Sequence, residues 1–300
     1  MSRVLINVII VNYNTPELCA RCVRSIKRLN SEVQIRFFIV DNGSSEVNYR
    51  SLIDLISMDF NMFTCTATDI ATENGAEVVV LENTNLGFAG GNNVVLRHLL
   101  EKGDDDPVLL INPDTEVISG NLLLDLVRNF NQNEVWGCAT YKASSPETLL
   151  CDGLMSYHPY FGRVASGKSD LNPSTSFVHG GFMFTRMSVF RKVGLLNESY
   201  FLYWEEVEWC FRCLQQGIVL KAIVNHIIYD EVSASIGRGY LANYYYSKNA
   251  LRFLRENYGG LNVFTATLFH FGRAMKFLIS GKTDIFTGAF QGLLSFYKEK

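Results

Sequence analysis

An α/β fold built on a mainly parallel sheet is predicted, and three observations carry the prediction. Apolar runs alternate with amphipathic helical segments as far as about residue 140. The apolar runs are continuous rather than alternating, the pattern of strands buried on both faces. Each of the four also finishes on asparagine or aspartate: Asn12 and Asn14, Asp41, Asn83 and Asn85, Asn112 and Asp114. One such ending is a turn. Four of them on parallel strands make a polar rim along one sheet edge, where open α/β sheets bind ligands.

The elements follow in order. "VLINVIIVNYN" is the first strand, and "TPELCARCVRSIKRL" opens a helix with Thr15 as N-cap and Pro16 at its first position. "IRFFIVDNGSS" is the second strand, followed by a helix from Glu46 to about Ser57. The polar "CTATDIATENG" has no period and reads as a loop. "AEVVVLENTN" is a third strand, and "LGFAGGNNVVLRHLLEKG" a glycine-rich turn feeding a helix that stops at Gly103. "PVLLINPD" is the fourth strand, with the helix "SGNLLLDLVRNFNQ" after it. Repeated strand–helix units require right-handed crossovers.

Beyond residue 134 the strands become shorter and more irregular. Two helical patterns flank "NESYFLYWEEVEW", "IVLKAIVNHIIYD" returns to strand, and from about residue 242 the pattern is helical. The expected division is a catalytic domain over 1–240, made of a nucleotide-binding half (1–117) and an acceptor-binding half (118–240). A helical C-terminal region over 241–300 completes it.

Composition narrows the class. With 48 % hydrophobic and 19 % charged residues the chain is globular, not disordered. A net charge of −3 gives no electrostatic footprint for nucleic acid. Arg3 precedes an apolar run that leads into Asn12, Tyr13 and Asn14, which is not a signal-peptide cleavage pattern. No stretch reaches the roughly 18 apolar residues of a membrane span. Seven cysteines without a secretory signal read as cytoplasmic thiols. The pairs Cys19/Cys22 and Cys210/Cys213 fall on helical faces, far apart and without knuckle glycines, which argues against a zinc site.

Five segments carry chemistry. "VLLINPDTEV" ends a strand on Asp114, either as a turn or as a metal ligand. "NTNLGFAGGNN" matches neither the dinucleotide fingerprint nor the Walker loop. Its glycines either form a tight turn capped by Asn92 or Asn93, or let backbone approach a nucleotide closely. Asp41 in "FIVDNGSS" either makes an Asx-turn or accepts the ring N–H of a pyrimidine. In "YFLYWEEVEWCFR", Glu205, Glu206 and Glu208 either form a solvated face or, crowded by Tyr203, Trp204 and Trp209, have raised pKa values suited to a base. In "NHIIYDEVSASIG", His226 and Asp230 share one side of a strand by period two, and either could complete a metal site begun by Asp114.

In their order and spacing, "VIIVNYN", "VDNGSS", "NLGFAGGNN", "LLINPDTEV", "GGFMFTR", "YFLYWEEVEWCFR" and "YYYSKNALRFLRENYG" resemble the family-2 inverting glycosyltransferases of GT-A fold, over roughly residues 4 to 256. They are most similar to the bacterial rhamnosyltransferase-like branch. That resemblance implies a nucleotide-diphosphate sugar donor, dTDP-L-rhamnose first and a UDP-hexose or UDP-N-acetylhexosamine second. It also implies a saccharide acceptor in a growing surface polysaccharide such as O-antigen, lipid-linked and met on the cytoplasmic side. Asp41 would hold the base, with backbone near Val11, Asn12 and Tyr13; Gly87, Asn92, Asn93 and Asn112 would line the nucleotide pocket. Asp114 would bind Mg²⁺ or Mn²⁺, and Glu206, beside Glu205, would be the catalytic base.

Three departures from the family pattern stand out. Asn112 replaces the first aspartate of the metal motif. "EEVE" replaces "EDVD". Alignment on "VSASIG" puts Asp230, not His226, where the family has its late metal-site histidine. The last two leave room for a protein that binds a nucleotide sugar without turning it over. In the tail, Phe264, Leu268, Phe271, Met275 and Leu278 recur at helical spacing near Arg273, Lys276 and Lys282. They form either a helix packed on the domain or one lying on the membrane surface.

Overall fold

A computed structural model describes residues 4–72, 75–165, 173–231 and 239–299. Its first half is the predicted series with one strand added, the third: β1 (Leu5–Asn12), α1 (Pro16–Leu29), β2 (Gln34–Asn42), α2 (Glu46–Ser57), β3 (Met62–Thr66), β4 (Val78–Asn83), α3 (Gly87–Glu101) and β5 (Pro107–Ile111). Then come β6 (Thr115–Val117), α4 (Leu122–Asn129), β7 (Glu134–Lys142), β8 (Ser145–Asp152), β9 (Leu154–His158), β10 (Arg163–Ala165), β11 (Ser176–Val178) and β12 (Phe182–Arg186). The chain continues through α5 (Met187–Val193), α6 (Glu205–Gln215) and β13 (Val219–Asp230). It closes with α7 (Tyr240–Asn257), α8 (Gly260–Ile279) and α9 (Thr283–Lys298).

The main sheet runs β3-β4-β2-β1-β5-β12-β7-β13-β6, with β8 paired to β7. Its first five strands are parallel; β12 is antiparallel to both β5 and β7. Because residues alternate across a strand, β1 sends Val8 and Ile10 to one face and Ile9 to the other. Val8 and Ile10 join Phe37, Val80 and Leu109 beneath α1, α2 and α4. Ile9 joins Phe38, Val79 and Leu110 beneath α3, α5 and α6, and that core runs on to Phe253 and Leu254 of α7. Helix α9 lies close against α7, since a Cβ on Gly288 or Gly292 would come 2.3 Å from the carbonyl oxygen of Tyr240 or Tyr244. The spacing of these two glycines lets the backbones meet.

Two local expectations change. The stretch read as a loop from Cys65 begins inside β3, an edge strand paired only with β4, whose one-sided burial leaves too weak a pattern to read. Helix α3 starts at Gly87 itself, so Asn92 and Asn93 are buried inside the helix rather than capping it. Among the described residues no helix is long and apolar enough to cross a membrane.

Candidate active site

Register sets the polar rim. Asn12 of β1 sits abreast of Asp41 of β2, which sits abreast of Glu82 of β4. The Asp41 carboxylate accepts from Asn12 Nδ2 (2.9 Å), Ser44 N (3.0 Å) and Ser44 Oγ (2.7 Å). Thr15 does not cap α1 with its side chain; its hydroxyl donates instead to Asn12 Oδ1 (3.0 Å), which fixes the amide that faces Asp41. Three bonds occupy most of the roughly four lone-pair positions of a carboxylate, and the remainder is available to one more donor. Asp41 borders a cleft of about 450 Å³, lined also by Gly43, Ser44, Tyr49, Arg50 and Glu82. Val11 and Tyr13 are half-buried beside it on the same strand end.

The glycine-rich segment is packed backbone against backbone. Gly87 has φ +71°, and a Cβ there would lie 2.1 Å from the carbonyl oxygen of Phe201, which also accepts from Phe88 N (3.2 Å). Gly91 meets the Val11 side chain, seating α3 on β1. Asn92 donates to Phe88 O (2.9 Å), and Asn93 donates to Leu196 O and Glu198 Oε1 (both 2.8 Å), tying α3 to the segment before α6. The residue that organises this turn is Asn42, which the sequence reading passed over. Its amide donates to Asn85 Oδ1 (3.2 Å) and Gly87 O (3.1 Å) and accepts from Leu86 N (3.1 Å).

At the end of β5 the chain turns through Asn112, whose N–H donates to Gly181 O (3.2 Å). Asp114 follows, buried, immediately before β6. Asp230, also buried, ends β13 directly opposite Thr115, and Glu231 N donates to Asp114 O (3.3 Å). The Asp230 carboxylate also lies near Gly181, since Oδ2 would be 3.3 Å from a Cβ built there. His226 is four residues before Asp230, inside the stretch where the register of β13 against β7 shifts between Ile223 and Ile227. Its Nε2 pairs with Asp125 Oδ2 on α4 (2.8 Å), so the structure does not bring it to Asp114. Among the described residues no three metal-ligating side chains form a group. The backbone brings Asp114 and Asp230 near one another, and carboxylates are the protein ligands that suit Mg²⁺ or Mn²⁺, whose shell substrate phosphate and water complete.

Helix α6 brings up the glutamates. Tyr203 (φ 62°) and Trp204 (φ 76°) both adopt left-handed backbone, uncommon for bulky residues and characteristic of functional sites. Asn249 of α7 donates to Leu202 O (2.9 Å) and Tyr203 O (3.0 Å) and so holds the turn. Glu205 and Glu206 therefore start α6 in the interior, where Oε2 of each has no hydrogen-bond partner. Burial, together with the charge of Glu206, pushes Glu205 well above the ordinary carboxylate range. Burial also raises Glu206, opposed by backbone N–H groups and His179. The folded state thus binds protons more tightly than the unfolded chain, so this contribution to stability is full below the ordinary value of 4.5 and fades as pH rises through the raised one. Glu205→Gln is expected to raise the thermal midpoint relative to wild type at pH 8 and to leave it similar at pH 4.5. A lower midpoint at both pH values would show that burial of Glu205 is not costly.

Residues 7–194 match the family model described as "Glycosyl transferase family 2". The chain belongs to that family. Relatives at modest identity include the hexosyltransferase Agl10 of low-salt glycan biosynthesis in Haloferax volcanii, 28 % identical over 226 residues (71 % of this chain, 62 % of Agl10). The dTDP-rhamnosyl transferase RfbF of Shigella flexneri is 25 % identical over 193 residues (58 % of this chain, 62 % of RfbF). The rhamnosyltransferase WbbL of Escherichia coli is 24 % identical over 154 residues (46 % and 58 %). The chain thus spans about three fifths of the length of the curated relatives it matches. The fold is that of the GT-A transferases. The mannosyltransferase PcManGT of Pyrobaculum calidifontis, solved with GDP-Man and Mn²⁺, superposes with TM-score 0.55 at 11 % identity over 100 % of this chain and 77 % of its own. GalNAc-T7, solved with UDP, GalNAc and Mn²⁺, gives 0.61 at 11 % identity over 91 % and 51 %.

In this family-2 glycosyltransferase the two carboxylate groups meet at a residue absent from the sequence reading. His179, at the join of β11 and β12, feels the charges of both Glu206 and Asp114, while desolvation holds its imidazole below the ordinary range and hence neutral. Gly180 and Gly181 bring it in, since a Cβ on Gly180 would touch Glu206 (3.7 Å) and one on Gly181 would strike the imidazole (2.9 Å). The available signal was the "HGG" preceding "FMFTR".

Proposed function

We propose that this glycosyltransferase moves L-rhamnose from dTDP-L-rhamnose, with inversion, to a hydroxyl of a growing surface polysaccharide or lipid-linked oligosaccharide. The observation that carries the reading is that the His179-Gly180-Gly181 turn lies against Glu206 through Gly180 and against Asp230 through Gly181, in the fold that also bears the Asp41 cleft. In this reading the pyrimidine base sits against Asp41, with Val11, Asn12 and Tyr13 beside it. Gly87, Asn92, Asn93 and Asn112 support the nucleotide side. Asp114 and Asp230 would hold Mg²⁺ or Mn²⁺, which supplies charge neutralisation on the diphosphate when bound.

Glu206 then accepts the proton of the acceptor hydroxyl. That oxygen attacks the anomeric carbon from the face opposite the diphosphate, one C–O bond forms as the other breaks, and the nucleoside diphosphate leaves. Burial suits Glu206 to this role, because a carboxylate of raised pKa is a stronger base. Neutral His179 can donate a ring N–H without adding positive charge beside Glu206. The names of RfbF and WbbL favour rhamnose; the hexosyltransferase name of Agl10 keeps a UDP-hexose donor as the second reading. Exposed Leu261, Phe264, Leu268, Phe271 and Ile279 on α8 support a peripheral contact with the cytoplasmic face of a membrane.

Proton NMR of turnover mixtures tests donor and stereochemistry together. dTDP-L-rhamnose should be consumed faster than UDP-glucose or UDP-N-acetylglucosamine, and the first-formed product should carry the opposite anomeric configuration. Retained configuration, or indifference to the donor, would defeat the reading.

A further inference from the structure

The strap formed by residues 199–204 delivers the chain to α6, and it lies along one face of α7. Tyr245, Asn249, Arg252 and Glu256 recur on that face at helical spacing. Phe201 stacks on Tyr245 (5.1 Å between ring centres), Ser199 O accepts from Arg252 Nη1 (2.9 Å), and the Tyr200 hydroxyl donates to Glu256 Oε2 (2.6 Å). Of these four α7 residues only Asn249 is buried, at 1 % exposure, and its contacts fall nearest the glutamates.

The Asn249 side-chain nitrogen carries two N–H groups and meets two successive carbonyls, Leu202 O (2.9 Å) and Tyr203 O (3.0 Å). Neighbouring carbonyls turn to one side only where the residue between their peptide planes is coiled rather than extended, and Tyr203 is coiled, at φ 62°. Tyr203 and Trp204 are bulky residues in left-handed backbone, which persists only where the surroundings hold it. On the other flank Phe201 O accepts from Phe88 N (3.2 Å) at the start of α3. Three successive carbonyls are thus held, one by the glycine-rich segment and two by Asn249.

Fixing Tyr203 O also fixes the N–H of Trp204, because the two belong to one planar peptide. That N–H is among the groups that favour the charged form of Glu206. Helix α6 starts directly afterwards, with Glu205 and Glu206 as its first two residues. The arrangement needs an amide: an ionised aspartate only accepts, and alanine would leave both carbonyls bare.

We propose that Asn249 is a positioning residue for the transfer step, holding the left-handed turn that aims Glu206 at the acceptor hydroxyl. It acts through the backbone of residues 202–204 rather than by contact with substrate. The inference rests on the reading of Glu206 as the base, but not on the identity of donor or acceptor.

The test reads rate against pH for the full chain, following release of nucleoside diphosphate from dTDP-L-rhamnose or UDP-glucose with water as acceptor. Asn249→Ala should lower kcat about 10–100-fold, the scale of a slightly misplaced group, with the donor KM within about twofold. The acid limb should move to higher pH, because loss of a fixed N–H leaves the Glu206 carboxylate less stabilised. Asn249→Gln, with the same donors on a longer stem, should fall between. Added to Glu206→Gln, Asn249→Ala should cost less than about twofold more, since aiming an absent base has no value. Carbon-13 NMR of the glutamate carboxyls, assigned with Glu206→Gln, should show the same upward titration without turnover. Mn²⁺-dependent affinity for dTDP or UDP should stay as in wild type and so report an intact fold; if Asn249→Ala loses it, Asn249→Gln carries the comparison. An unmoved kcat and acid limb in Asn249→Ala, beside an impaired Glu206→Gln, would overturn the positioning role alone. Full additivity in the double variant would overturn it too. Wild-type turnover in Glu206→Gln would instead strike the base reading, and the NMR titration would still decide whether Asn249 governs Glu206.

Discussion

Glu206→Gln is expected to lower sugar transfer by about 10²–10⁴-fold, the range for loss of a general base, and to leave nucleotide affinity within about twofold. The substitution keeps size and shape but removes the only function assigned to the residue, acceptance of a proton. Its neighbours make the test clean. Glu206 lies beside His179 and Gly180 and starts α6, far along the sheet from Asp41. A glutamine there also relieves the charge that raises Glu205, so the fold should not suffer. The surviving rate should lose the acid limb of its pH profile that deprotonation of Glu206 sets, since the assigned base is gone. Wild-type turnover in Glu206→Gln would remove it as the base and point to Glu205.

Asp114→Ala acts at the other side of His179. It should weaken metal-dependent binding of nucleoside diphosphate by about 100-fold, close to 3 kcal/mol, and leave metal-free binding unchanged. Asp114, just before β6, and Asp230, at the end of the β13 strand paired with it, are both buried, and in the proposed site removing one leaves a single carboxylate for the cation. Asp230→Ala should produce a smaller loss in the same direction. His226→Ala should produce none, because that imidazole is engaged with Asp125. Metal-dependent affinity that survives Asp114→Ala would place the cation elsewhere.

The parallel sheet was legible because burial on both faces leaves continuous apolar runs, and the ends of those runs are marked by single polar residues. The rim of Asn12, Asp41 and Asp114 could be named for that reason: strand ends are read along the chain. The arrangement around His179 could not, because it depends on how the β11–β12 join packs against α6, residues far apart in sequence. Asn42 was hidden beside Asp41, since nothing local distinguishes an asparagine that organises a loop some 45 residues on. For His226 and Asp230, period two assumed a regular strand, and the register shift of β13 between Ile223 and Ile227 removes that assumption at His226. Edge strand β3 was missed because pairing on one side leaves little apolar pattern.

Calorimetric titration of the purified chain with dTDP, UDP and GDP, with and without Mn²⁺, tests the central claim most directly. The account predicts Mn²⁺-dependent binding of dTDP or UDP over GDP, lost in Asp114→Ala and kept in Glu206→Gln. Absence of binding by any of the three nucleotides, or binding indifferent to both metal and Asp114, would contradict it.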